Sequence, residues 1–172
     1  MKKTLPVLLV ICMLLSSGCQ VFKKPEASKG SSPENLVPIG EYVDICPDKR
    51  DVQVCILEII SGDEARRLVG SSDETHNYII VKFNMKAITL NGKEFNPPSS
   101  MNMILNNGTI AQDTYTYDAE DNLGLPQFGI DTFAAEGEID CISVFSVGID
   151  QCQYLKYGDA VYENETYFAI RN

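Results

Sequence analysis

From His76 to Ile88 the chain reads HNYIIVKFNMKAI, and apolar side chains recur at every second position. Ile79, Val81, Phe83, Met85 and Ala87 would share the core face of an extended strand, leaving Tyr78, Lys82, Asn84 and Lys86 outside. Ile80 breaks the alternation, an isoleucine among the outward positions. Upstream, DVQVCILEII (residues 51–60) is rich in the β-branched residues that suit a pleated, half-buried surface. Shorter runs of the same kind are MNMILN (101–106), EIDCISVFSV (138–147), QYLKY (153–157) and TYFAIRN (166–172). Asn91-Gly92 and Asn107-Gly108 read as hairpin turns, because both central positions must tolerate positive φ. Pro97-Pro98 interrupts any strand there.

One stretch has the helical signal. In SGDEARRLV, Ser61 is placed to cap and Glu64 follows three residues later, a capping box with Asp63 also near the positive end of the helix. Ala65, Leu68 and Val69 form its short apolar stripe. About seven strands separated by turn signals, with one short helix after the second strand, predict an all-β antiparallel sandwich.

The run VQVCILEIISGDEARRLV, a polar stretch and then YIIVKFNMKAI resembles a family of bacterial immunoglobulin-like lipoprotein domains of unknown function, often mislabelled after a telomeric-repeat-binding factor. Its strand leading into a Gly-Asp/Glu-Glu-Ala helix start is matched by Gly62, Asp63, Glu64 and Ala65. Its Tyr-hydrophobic-hydrophobic-Val-Lys-Phe/Val strand is matched by Tyr78 to Phe83, and its Gly/Glu-rich turn into a strand by AEGEIDCISVFSV. The likeness extends over residues 50–172 and is most specific from Val52 to Met85. It implies an immunoglobulin-like β-sandwich displayed outside the cytoplasmic membrane after a lipobox and a tether. It implies no catalytic residue, and Cys55, Cys141 and Cys152 fall where the family carries ordinary strand residues.

The beginning of the chain is patterned differently. Lys2 and Lys3 precede the apolar run LPVLLVICMLL, and the small residues Ser16, Ser17 and Gly18 follow, the order of a secretory signal. The apolar run is too short to span a bilayer, which takes about 20 residues. The stretch resembles a bacterial lipoprotein signal, with Leu15 one place further from the cysteine than usual. Cleavage after Gly18 would leave Cys19 to receive a lipid, and two or more acyl chains make a stable anchor. Residues 1–18 are then a signal peptide, and residues 19–40 a lipidated cysteine and flexible tether, with Pro25, Pro33, Pro38 and few large apolar groups. Residues 41–172 form the sandwich domain. Lys23 and Lys24 would sit near anionic headgroups. The expected location is the extracytoplasmic side of a bacterial cell membrane, with the membrane itself as one partner.

Charge narrows the remaining partners. The chain has a formal net charge of −10, and removal of residues 1–18 deletes only cations, so nucleic acid is disfavoured. Seven Phe and eight Tyr, with no Trp, must supply the large core side chains. Four cysteines remain beyond Cys19: Cys46, Cys55, Cys141 and Cys152. An even number in an exported domain suggests disulfides. Cys46–Cys55 and Cys141–Cys152 each enclose a short loop, so both are expected as local cross-strand staples, with buried thiols or an inter-sheet crossing as the alternatives.

Catalytic patterns are sparse. His76, the sole histidine, lies in the polar SSDETHN leading into a strand and is expected to be solvated. No G-x-S-x-G, Gly-rich phosphate loop or HExxH occurs, and no cofactor is expected. In YDAEDNLG, Asp118, Glu120 and Asn122 have the alternate spacing that begins a calcium loop, but the turn glycine is displaced to Gly124 and Gly129 holds the twelfth place. An EF-hand is excluded, leaving a loose surface calcium site or a solvated acidic loop. Tyr115 and Tyr117 beside it would either add contact surface to a binding loop or, as tyrosine between strands more often does, pack half-buried. The leading expectation is a non-enzymatic, lipid-anchored module that binds a protein, a peptide or an envelope component, with an envelope or extracellular protein as the expected partner. The alternatives are a calcium-dependent adhesion or sensing domain, and an envelope hydrolase using carboxylates between Asp113 and Asp131.

Overall fold

The alternation in residues 76–88 produces what it predicts. A computed structural model of the chain describes residues 28–45, 51–89, 101–127, 136–159 and 164–171. Its strands are β1 (Tyr42–Asp44), β2 (Asp51–Ser61), β3 (Ile79–Thr89), β4 (Met101–Leu105), β5 (Ile110–Gln112), β6 (Gly137–Phe145), β7 (Cys152–Asp159) and β8 (Asn164–Phe168). Helix α1 (Gly62–Leu68) follows β2, and α2 (Tyr117–Leu123) lies between β5 and β6. A 3-10 turn at Ile149–Gln151 precedes β7. The chain is an all-β immunoglobulin-like sandwich.

Two antiparallel sheets, ordered β1-β2-β3-β6 and β5-β4-β7-β8, make up the sandwich. Setting β1 aside, these orders follow the A-B-E and C′-C-F-G strands of an immunoglobulin sandwich. β4–β5 and β7–β8 are hairpins within one sheet, whereas β3–β4 and β6–β7 cross between sheets. The β4–β5 hairpin turns at Asn107-Gly108, where Gly108 has φ 81° and Asn107 Oδ1 accepts from the Thr109 amide at 3.0 Å. Asn91-Gly92 and Pro97-Pro98 lie outside the described residues.

The inner faces make the main core. Val52, Val54 and Ile56 from β2 and Ile79, Val81, Phe83, Met85 and Ala87 from β3 meet Met101, Met103, Leu155, Tyr157 and Phe168 from the other sheet. Ser143, also turned inward on β6, is 1% exposed, and its hydroxyl has no hydrogen-bond partner among the described residues. An unpaired buried hydroxyl costs about 1–3 kcal/mol. Ser143→Ala is therefore expected to stabilise the domain by about 1 kcal/mol, a rise of about 2–4 °C in Tm by calorimetry. A lower Tm would mean the hydroxyl has a partner.

Ile80 is no exception to a rule but part of a second core. In register across the outer face, Ile60 pairs with Ile80 and Ile80 with Val144. With Ile142 they are covered by Ala65, Leu68 and Val69 of the α1 region and Ala119 of α2. The helices thus cap one end of the β2-β3-β6 outer face. Ser61 caps α1 by position only: its side chain makes no capping hydrogen bond, so the expected box with Glu64 does not form. Packing of Ala65 and Leu68 holds the helix instead.

Residues 28–40, expected from composition to be flexible, are docked. They lie as a strap along the free edge of β8. The Val37 amide donates to Tyr167 O at 2.9 Å, the Ala169 amide to Val37 O at 2.9 Å, and the Tyr167 amide to Gly30 O at 3.0 Å. Val37, 1% exposed, enters the main core. Glycine is required at position 30: φ is 77°, and a Cβ there would meet Val37 Cγ2 at 2.7 Å and Thr166 Cγ2 at 2.9 Å. Edge strands left bare invite pairing with other chains, and the strap closes this one.

Candidate functional site

The acidic stretch 117–124 is a helix, not a loop, and that changes what its residues can do. At helical spacing, positions two apart diverge, so Asp118, Glu120 and Asn122 do not converge on one point. The Asn122 amide donates to Leu68 O at 2.8 Å, tying α2 to the end of α1. Asp118 leans on Gly70, where a Cβ would strike its carboxylate. Glu120 accepts a hydrogen bond from the Tyr115 hydroxyl at 2.9 Å. Among the described residues, no three His, Cys, Asp or Glu side chains gather to hold a metal ion. Gly124, at φ 64°, ends the helix, its amide donating to Glu120 O at 2.8 Å.

Tyr115 and Tyr117 are not half-buried packing. Tyr115 is 48% exposed and Tyr117 73% exposed, and their rings meet edge to face with centroids 4.7 Å apart. The bond to Glu120 pushes the Tyr115 hydroxyl up to about 12, since ionisation would set a phenolate against a carboxylate. The backbone beneath the pair is fastened by Gln127, which is buried. Its Oε1 accepts from the Thr116 amide at 3.1 Å, and its Nε2 donates to Thr114 O at 3.3 Å. The Thr114 amide in turn donates to Val144 O at 2.6 Å, and the Ile142 amide to Pro126 O at 3.0 Å. Residues 114–127 therefore ride on the free edge of β6, where a constant-type immunoglobulin sandwich would place strand D. Gln127 carries no periodic signal that a sequence reading could use.

A second polar feature crosses the uncapped part of the same outer face. Tyr42, Cys55, Asn84 and Asp140 stand in register on four neighbouring strands. Asn84 accepts from the Tyr42 hydroxyl at 2.9 Å and donates to Glu138 at 2.9 Å and Asp140 at 2.6 Å. Lys86 Nζ lies 4.3 Å from the Tyr42 ring centroid and 3.4 Å from Glu138. Every polar atom of the Asn84 side chain is occupied, so the row reads as a satisfied network.

Among the described residues no disulfide is made. Cys55 faces Tyr42 and Asn84 in register, and its thiol donates to Ile56 O at 3.6 Å; Cys46 lies outside the described residues. Cys141 is on β6, opposite Phe83, while Cys152 opens β7 in the other sheet, opposite Leu105. A staple across a hairpin presumes that both strands share a sheet, and β6 and β7 do not. Cys55 and Cys152 are buried free thiols. Burial pushes both thiols up, which keeps them protonated and unreactive.

His76 is exposed and its Nδ1 lies 2.6 Å from Asp73 Oδ2. Hydrogen bonds from Thr75 and then His76 hold the Asp73 carboxyl down at about 2. A carboxylate with a depressed folded value contributes stability above its ordinary value near 3.8, lost as pH falls through about 2. NMR titration should show the Thr75 amide, which donates to Asp73 Oδ1 at 2.8 Å, moving with a midpoint near 2. A midpoint near 4 would dismiss this turn. Asp113 is partly buried, and desolvation raises its carboxyl. Shallow hollows occur beside the strap (≈ 140 Å³, including Lys29, Asp44 and Glu165) and beside the β4–β5 turn (≈ 290 Å³, including Asn106 and Asp150). Neither brings His76 to a nucleophile. Cys19 lies outside the described residues, and no described helix is long and apolar enough to cross a membrane.

Comparison with known proteins returns no matching family model, no matching curated protein and no matching solved structure.

Proposed function

We propose that the chain is a lipid-anchored, extracytoplasmic immunoglobulin-like module, tied to a membrane through Cys19, that binds a protein of the envelope or its surroundings and catalyses nothing. The observation that carries this reading is the exposed Tyr115–Tyr117 pair, in which the Tyr115 hydroxyl is bonded to Glu120 and the backbone between the two rings to Gln127. Tyrosine supplies large contact area, and a side chain fixed before binding loses little entropy on binding. Loops and edges of a sandwich are a common place for such contacts. The lipoprotein-like leader and the family resemblance support the location. The surroundings of His76 favour binding over catalysis: its ring meets Asp73 in a solvated turn, away from the buried thiols of Cys55 and Cys152.

A photo-crosslinking residue at position 117, in intact cells carrying the full chain, tests the reading. A discrete protein adduct is expected from position 117 and not from the exposed position 153 on the opposite sheet. No adduct from 117, or the same adducts from both positions, would overturn it.

A further inference from the structure

We infer that β5 is a contact edge for a second copy of this chain, paired antiparallel about a two-fold axis at Ala111. The edges of the sandwich are not treated alike. The strap lies on β8, and residues 114–127 lie on β6 at Ile142 and Val144, each through backbone hydrogen bonds. β1 and β5 end the sheets on their other sides. Register states which groups these two edges offer. The Leu105 amide donates to Thr109 O at 2.9 Å, so these residues form a hydrogen-bonded pair across the hairpin. Bonded and non-bonded pairs alternate along an antiparallel ladder, which makes Met103–Ala111 bonded and Ile104–Ile110 and Asn102–Gln112 not. The amides and carbonyls of Ile110 and Gln112 therefore point away from β4. Among the described residues, no other segment reaches them with a backbone hydrogen bond. On β1 the Ile45 amide donates to Val52 O at 3.0 Å, and the same alternation turns Tyr42 and Asp44 outward.

A two-fold axis separates the two edges. With Ala111 opposite its copy, Ile110 of each chain stands opposite Gln112 of the other, and each such pair exchanges both backbone bonds. Ile110 also approaches its copy on the diagonal. At 56% exposed it is the most exposed aliphatic side chain among the described residues, and it ends the register row Tyr154–Ile104–Ile110. The strand is Ile-Ala-Gln, without charge or proline, so the usual devices that block edge pairing are missing. The next carboxylate, Asp113, would fall opposite Thr109 of the copy, not opposite another charge. The same operation on β1 sets Asp44 diagonally against its own copy, in a chain of net charge −10. An edge that must meet an equally acidic molecule fits it at β5 and not at β1. Three residues make a small contact, so the association is weak and is best read by trapping.

The test places a photo-crosslinking residue at position 110 of the full chain in intact cells. An adduct of twice the chain's mass, containing this chain alone, is expected from position 110 and not from position 42 on β1. Gln112→Pro removes the outward donor without touching a bond to β4, and should cut the doubled adduct about tenfold. Gln112→Ala keeps that donor and should change it less than about twofold. Gln112→Lys and Gln112→Glu each set like charges across the axis and should each reduce the adduct; their coexpression should restore it, which misfolded variants could not do. No doubled adduct from 110, a doubled adduct from 42 instead, an undiminished yield in Gln112→Pro, or no rescue on coexpression would overturn the inference. The contact is independent of the Tyr117 face, so adducts from position 117 bear on that reading alone.

Discussion

Val37→Asp is expected to lower stability by about 2–4 kcal/mol and to release residues 28–40 from β8. Burying a valine side chain contributes about 1.5–2 kcal/mol, and an unpaired carboxylate does not enter a dry core at neutral pH. The strap will detach before it buries that charge, so the loss is capped by its docking free energy. Detachment removes the hydrogen bonds joining Gly30 and Val37 to Tyr167 and Ala169 and leaves the β8 edge bare. Two readouts follow. Hydrogen exchange at the Val37, Tyr167 and Ala169 amides should rise to near the unprotected rate, and the protein should become prone to self-association through β8. Gly30→Ala should act in the same direction through its clash with Val37 and Thr166. Unchanged protection at Tyr167 in Val37→Asp would show that the strap does not depend on this side chain.

The second large effect is at Ile80. Its side chain is 0% exposed between Ile60 and Val144, beneath both helices. Ile80→Asp forfeits its burial and places a carboxylate where the helices must pack, a loss of about 3–5 kcal/mol if the cap were to stay. The cap will lift instead. Amide protection in α1 and α2 should vanish while that of β4 and β7 in the other sheet persists, and Tyr117 should lose its fixed position. Binding through the α2 face should then fail although the sandwich is still folded. Persistent α2 protection in Ile80→Asp would contradict a shared outer core. A lost β4–β7 ladder would mean that the cap and sandwich are one cooperative unit.

How much of this was legible follows from what each signal reports. Alternation places residues on faces, so the core face of β3 was readable from Ile79 to Ala87, whereas Ile80 broke the alternation without showing what covers it. Turn chemistry found Asn107-Gly108, because positive φ at Gly108 is a local demand. The three-residue β5 is too short for any period, and Ile110 on it is 56% exposed. Helix α2 was hidden because its N-cap Thr116 makes no side-chain bond and few apolar side chains mark a stripe; burial of Ala119 against the outer core sustains it. The strap escaped because it is held largely by backbone bonds to an edge, which side-chain patterning does not record. The cysteine pairing failed for a topological reason. Proximity along the chain suggested a staple at Cys141 and Cys152, but the connection between β6 and β7 passes from one sheet to the other.

The candidate site was legible as composition and misread as geometry. Asp118, Glu120 and Asn122 drew attention through their alternate spacing, which would aim oxygens together only in an extended or looped backbone. On a helix the same residues serve three ends: Asp118 against Gly70, Glu120 on Tyr115, and Asn122 on the last turn of α1. The consequence is an aromatic pair fixed in an acidic field.

Presentation at a membrane is the claim on which the binding role depends, and one measurement addresses it. Intact mass and peptide mapping of the protein recovered from fractionated cells should give an amino terminus at Cys19 carrying acyl chains, with the protein in the membrane pellet, and Cys19→Ala should move it out of the lipid phase. A chain recovered from the cytosol with Met1 and residues 2–18 still attached would contradict the account.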